Sequence, residues 1–302
     1  MTFPAGYVLR RATAADAEAA ARVMNDAGEV DGAPREMTPE DVVNALPVFE
    51  VHVVEAPDGR LVGYFDIYVE DERSFIDAAV HPDARGRGIG AALLDAAEAR
   101  SRERIGPDGP FVFRCGTASA NDGARELLKR RGYTYIRSFF RMEGRLSERP
   151  PEPAWPDGLS GRLFRAGDEP TFYDVLTDAF RDHWDHRDEA YDAFSSHAFG
   201  QDFRPDASFL VFDGDEPAAG VLSSHRFGMG WIGSLGVRRA WRKRGLGFAL
   251  LHAALGAFYD SGERRVGLGV DAESTTGATR LYERAGMHVA ARFDTYERVE
   301  SA

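Results

Sequence analysis

The chain has 302 residues, 43% of them hydrophobic and 28% charged, with a formal net charge of −12 and a pI near 5.2. That length predicts two domains of about 150 residues each. No apolar run approaches the roughly 18 residues needed to cross a membrane. The acidic balance disfavours nucleic acid and membrane as partners and makes a cationic substrate easier to attract.

At the front, MTFPAGYVLRRATAADAEAA has no apolar core behind a basic start and no small-residue cleavage site, which predicts a cytoplasmic protein. FEVHVVEA (49–56), RLVGYFDIYV (60–69) and SFIDAAV (74–80) read as strands that pair as hairpins. RGRGIGAALL (85–94) follows directly on the strand ending in Val80 and opens an apolar-striped helix, and FVFRCG (111–116) is the next strand. Cys115 lies on it. As a single cysteine it excludes an internal disulfide or a thiolate zinc site, and its expected role is that of a small buried hydrophobe. Then SERPPEPAWPDG (147–158) sets four prolines in twelve residues, which predicts a linker.

Beyond the linker the same order returns. SFLVFDG (208–214), AAGVLSSH (218–225), GWIGSLGV (230–237) and RRVGLGV (264–270) are strands, while 245–260 and 275–285 have helical spacing. Arg85, Gly88 and Gly90 meet Arg242, Gly245 and Gly247 at an offset of 157, and Gly132 meets Gly286 at 154. LRRATAAD (9–16) meets LFRAGDEP (163–170), also at 154. The chain reads as a duplicated α/β domain, 1–146 and 159–302, each half built on a mixed sheet.

The repeated arginine- and glycine-rich stretch carries the chemistry. A helix start has unpaired N–H groups and the positive end of a dipole, so it holds anions. Glycine lets a phosphate approach the backbone, and arginines add charge-assisted bonds. A mononucleotide P-loop needs G-x-x-x-x-G-K-[ST], which neither copy has. Gly86, Gly88 and Ala91 fit the dinucleotide fingerprint, but the second copy fails it at Leu250. A plain strand-to-helix turn with solvated arginines stays open.

What both copies share is R-x-x-G-x-G. On this motif, with SLGVRRAWRKRGLG and GATRLYERAGM in the second copy, the chain resembles the GNAT superfamily of acyl-CoA-dependent N-acetyltransferases, over nearly its whole length. The resemblance implies two tandem GNAT-like domains, each a mixed, mostly antiparallel sheet flanked by helices. It also implies acetyl-CoA as acyl donor and a strand that splays from its neighbour, with Leu235, Gly236 and Val237 along the pantetheine arm and thioester. The N–H groups of Lys243, Arg244, Gly245, Leu246, Gly247 and Phe248 would hold the diphosphate, with Arg242 and Ser274 beside them. The side chains of Arg238, Arg239 and Lys243 are candidates for the adenosine 3′-phosphate, or are simply solvated. The matching set in the first copy is Ala79, Val80 and Arg85 to Gly90, that is Arg85, Gly86, Arg87, Gly88, Ile89 and Gly90.

By the same resemblance, Tyr282 matches the tyrosine that protonates the departing thiolate. Its counterpart in the first copy is Leu128, which implies a catalytic second domain and a structural or regulatory first domain that still has the parts to bind acyl-CoA. For the general base His225 is the leading candidate, beside Asp271, Glu273 or a relay through water. The strand before the motif offers only Ser234, or Asp77 in the first copy. In FRDHWDHRDEAYDAF (180–194), His183 and Asp185 are expected in an acidic, aromatic wall around the acceptor. His183 and His186 lack a clear third ligand, so no metal is expected. The expected reaction is transfer of acetyl to the primary amine of a small molecule by a monomer or homodimer. A non-catalytic acyl-CoA sensor or scaffold and a protein N-acetyltransferase are the alternatives.

Overall fold

The computed structural model describes residues 3–106, 110–274 and 277–301. The chain forms two compact units, and they do not part at residue 146. One contains the residues up to Phe139 together with those from Ala290 on, and the other is Phe140–Val289.

In the first unit β1 (Val8–Arg11), β2 (Glu50–Glu55), β3 (Leu61–Glu70), β4 (Arg73–Val80) and β5 (Phe111–Ala118) lie side by side in that order. The next place is taken by the last strand of the chain, β12 (His288–Glu300), whose residues Phe293 to Glu300 run antiparallel to β5. Residues 134–139 of β6 (Thr134–Arg145) follow it. Continuous apolar runs in β2 and β3 give these strands two buried faces. On one face α1 (Ala17–Val30) and α2 (Pro39–Ala45) cover Val51, Val53 and Tyr64. On the other, α3 (Ile89–Ile105) and α4 (Asp122–Arg130) cover Phe65, Ile67 and Phe113. Cys115 is buried in this second cluster as a small hydrophobe, and burial pushes its thiol far above the usual range.

The second unit repeats the plan. Its order is β7 (Leu159–Leu163), β8 (Phe209–Asp213), β9 (Glu216–Arg226), β10 (Met229–Val237) and β11 (Arg265–Asp271), followed by the 140–145 portion of β6. α5 (Glu169–Phe180) and α6 (Tyr191–Ala198) cover one face, while α7 (Leu246–Asp260) and α8 (Ala278–Arg284) cover the other. In each unit, then, the strand beside the last parallel strand comes from the other copy of the sequence. This exchange moves the boundaries away from those expected. The Pro-rich stretch 147–158 lies inside the second unit, where the Trp155 ring packs on Gly161 of β7.

Matching polar devices mark the duplication. Arg10 makes a two-pronged bond to Asp16 at 2.7 and 2.8 Å, and Arg162 does so to Asp168 at 2.6 and 2.8 Å. These pairs stand 152 positions apart, so the front of the repeat aligns two residues away from the offset of 154 read in the sequence.

Candidate active site

β10 and β11 run parallel, yet only Gly230, Trp231 and Ile232 pair with Val266, Gly267 and Leu268. A bulge between Ile232 and Ser234 turns β10 away while its bonds to β9 continue to Val237. The ends of the two strands therefore part, and Ser234 to Val237 present backbone groups to the opening. Beside it, a Cβ built on Gly269 meets nothing within 4 Å.

The turn from β10 to α7 places Lys243 at φ +62° and Gly245 at φ +83°, the left-handed region that turns successive N–H groups to one side. The Gly245 carbonyl accepts from Phe248 and Ala249, whereas the N–H groups of Lys243 to Gly247 meet no acceptor among the described residues. Phe248 itself is held by its ring, which lies 4.3 Å from His252 and 4.4 Å below the Arg284 guanidinium. Leu246 is buried in the core. Donors that converge without acceptors at a helix start make an anion cradle.

The motif arginine is not part of that cradle. Arg242 donates to the Val237 carbonyl at 3.0 Å, the Ala179 carbonyl at 2.7 Å and Asp182 at 3.0 Å, which clamps the end of α5 to the turn. Arg239 also pairs with Asp182, Arg238 donates to the Pro217 carbonyl at 2.9 Å, and Arg244 reaches the Asp157 carbonyl at 3.5 Å. Lys243 has no side-chain partner among the described residues. Gly236 fixes the approach of α5, because a Cβ there would stand 2.8 Å from Ala179 Cβ and 3.4 Å from Phe180.

Tyr282 lies on α8 within the cluster that contains Leu246, Leu250, Leu268 and Val270, so it sits on the α7 side of the parted strand β11. It is 8% exposed, its hydroxyl has no hydrogen-bond partner among the described residues, and burial pushes its pKa up to about 12. His225 is elsewhere. It pairs across the ladder with Gly230, five residues and roughly 16 Å of strand from Leu235. Its Nδ1 is 2.8 Å from Glu263. The structure thus does not bring His225 to the opening, and its place at a strand end said nothing about which end of the sheet that was.

His183 does come close. Its ring meets Phe180 at 4.4 Å, and Asp271 and Arg242 both act on its charge. Asp185 takes a left-handed φ of +58° two residues on. Ser274 donates its N–H to the Asp271 carbonyl at 3.1 Å, and its neighbours 275 and 276 lie outside the described residues. No group of three or more metal-ligating side chains occurs among the described residues.

The first unit has the same frame. β4 pairs with β5 only from Arg73 to Ile76, leaving Asp77 to Val80 beside an opening. Gly86 at φ +77° and Gly88 at φ +82° shape the turn into α3. Arg85 is again a clamp, donating to the Val80 carbonyl, the Ala27 carbonyl and both oxygens of Asp31, while Arg87 reaches the Tyr7 hydroxyl at 3.0 Å. Leu128 is buried where α8 carries Tyr282.

A family model described as "Acetyltransferase (GNAT) family" matches residues 22–133 and 170–287, about three quarters of the chain. The chain belongs to the GNAT family. A protein named "Mycothiol acetyltransferase" from Salinispora tropica is 33% identical, over 90% of this chain and 89% of its own. One of the same name from Salinispora arenicola is 32% identical over 86% of each. Among solved structures, a GCN5-related N-acetyltransferase from Sphaerobacter thermophilus is 31% identical, with a TM-score of 0.88 over 100% of this chain and 98% of that one. A tandem GNAT protein from the clavulanic acid biosynthesis pathway, 17% identical with a TM-score of 0.72, shares the fold. This GNAT is therefore an N-acetyltransferase of tandem layout. None of its helices among the described residues is long and apolar enough to cross a membrane.

This GNAT also contains a carboxyl pair that its sequence did not reveal. Asp66 and Asp77 are direct partners across β3 and β4, and the Tyr64 hydroxyl donates to Asp66 at 2.6 Å. Burial first, and then the charge of Asp77, push the Asp66 pKa up to about 7. Asp77 faces Asp66 across the ladder, and desolvation raises its pKa too. Only the strand register brings residues eleven positions apart into this pair.

Proposed function

We propose that this GNAT transfers acetyl from acetyl-CoA to the primary amine of a small molecule in the cytoplasm, and that the second unit performs the chemistry. The residues present fit such a donor. The unpaired N–H groups of Lys243 to Gly247 suit a diphosphate. The parted ends of β10 and β11 suit an extended arm that bonds like an added strand. The donor supplies an activated acyl group and a thiolate leaving group. An N–H of the Leu235–Val237 segment is suited to stabilise the oxyanion that develops as the amine attacks.

The observation that carries the assignment is Tyr282. Its ring is packed in the core, its hydroxyl has no hydrogen-bond partner among the described residues, and a pKa near 12 keeps it protonated across the neutral range, with a proton to give. Leu128 cannot serve in that way, so the first unit is assigned a structural or regulatory role, with the cradle at Gly86 to Gly90 still suited to an acyl-CoA. The formal net charge of −12 supports a cationic acceptor. The name of the curated relatives, mycothiol acetyltransferase, supports acetyl as the group moved.

The test is Tyr282→Phe. Thiol release from acetyl-CoA in the presence of a primary amine should fall roughly 100-fold or more, while calorimetric binding of acetyl-CoA is retained. An unchanged rate removes the role.

A further inference from the structure

We infer that His183 takes the proton from the acceptor amine, a role that rests on the acetyl transfer proposed above. With His225 about 16 Å of strand away from the opening and a serine at the β10 position that matches Asp77, the second unit offers no base on the strand itself. His183 lies at the mouth of the opening instead. α5 is locked to the splayed end of β10 by Gly236 and by Arg242, which holds Ala179 and Asp182. The His183 N–H donates to the Phe180 carbonyl at 2.8 Å, and its ring stands edge-on to Phe180 at 4.4 Å. Phe180 in turn is the side chain that a Cβ on Gly236 would meet at 3.4 Å. On the other side Asp271, the last residue of β11, acts on the imidazole. His183 thus stands beside Phe180 at the Gly236 end of β10, on the α5 face and within the electrostatic reach of Asp271, while Tyr282 packs on the α7 face.

The imidazole is in the right form. Neither ring nitrogen has a hydrogen-bond partner among the described residues, and the residue is exposed, so the ring is open to an incoming amine. Desolvation lowers its pKa most. Asp271 from β11 and Asp182 from its own segment oppose that, Arg242 from the turn before α7 and His186 add to it, and the net shift is downward. His183 is therefore neutral at pH 7, with a lone pair to accept a proton.

The protons balance. The ammonium gives one proton to His183, which passes it to water. The freed amine forms the C–N bond, the C–S bond breaks, and Tyr282 protonates the sulfur. The second amine proton, lost as the amide forms, restores Tyr282. The sum is ammonium plus thioester giving amide, thiol and one proton.

The experiment follows thiol release from acetyl-CoA with glucosamine, tyramine or cadaverine, from pH 5 to 9, for the full chain and His183→Gln. His183→Gln should lose about 100-fold in kcat at neutral pH, keep its melting temperature and its affinity for acetyl-CoA, and lose the acidic limb of the kcat/KM profile that the wild type shows below the ordinary histidine range. Added imidazole should restore part of the rate to His183→Ala. If His183→Gln keeps kcat within about twofold with the same acidic limb, or only raises KM for the amine, the proposal is overturned. If the wild type releases thiol with none of the three amines, the acetyl-transfer reading falls, and this proposal with it.

Discussion

A fragment containing residues 1–146 should fail to fold, even though it holds one whole copy of the repeat. It lacks Phe293 to Glu300, which pair residue for residue with Phe111–Ala118. Those eight positions contribute a ladder worth on the order of 8 kcal/mol at about 1 kcal/mol per bond. Tyr296 is 2% exposed within the same cluster as Phe113 and Leu93, and losing a buried ring of that size costs about 3–5 kcal/mol. Glu98 would also lose Arg298 at 2.6 Å, and Arg114 would lose Glu297 at 2.8 Å. The total matches or exceeds the roughly 5–15 kcal/mol that separates a folded domain from its unfolded chain. Circular dichroism and urea titration compare this fragment with one in which residues 288–302 are joined to it through a Gly-Ser linker. The joined chain should give a cooperative transition and the bare fragment none. Equal transition midpoints would refute the role assigned to strand exchange.

Two further outcomes are tied to single residues. The raised pKa of Asp66 stabilises the first unit fully below the unfolded value near 4, and that contribution is lost as pH rises through about 7, so the unit should be more stable at pH 5 than at pH 8. Asp66→Asn should flatten this dependence and add on the order of 2 kcal/mol at neutral pH, read by denaturant titration at several pH values; an unchanged slope would count against the buried pair. Gly269 lies on the strand face opposite Leu268 and Val270, with open space around it, so Gly269→Phe should raise KM for the amine while leaving acetyl-CoA affinity and the melting temperature near wild type. A lost acetyl-CoA affinity would mean that the space belongs to the donor.

The repeat, the α/β class and the glycine turn were legible because they depend on local rules. Gly88 and Gly245 take a left-handed φ that few other residues adopt, so the turn leaves a mark on the sequence. Lys243, at φ +62°, shows the limit of that rule, since a lysine stands where the first copy has Gly86. What was not legible depends on long-range pairing. β6 and β12 alternate in the same way whichever sheet they enter, so the pattern could not reveal the exchange that sets the unit boundaries. Arg85 and Arg242 read as phosphate ligands by charge alone, but their partners Asp31 and Asp182 are 54 and 60 positions away. His225 failed for a related reason, since a strand assignment leaves the end of the sheet undetermined.

The two units differ most where a polar group stands against an apolar counterpart, and that contrast separates catalysis from stability. The first unit closes its core under α4 with Leu128, which needs no partner. The second places a phenol there, its ring packed in the core and its hydroxyl without a hydrogen-bond partner among the described residues. Packing alone gives no reason to keep that oxygen, because a phenylalanine fills nearly the same volume. Tyr282→Phe should therefore separate two quantities, leaving the denaturation midpoint near wild type while turnover collapses. A structural tyrosine whose hydroxyl is satisfied would lose stability instead and keep its rate, and that result would remove Tyr282 from the chemistry.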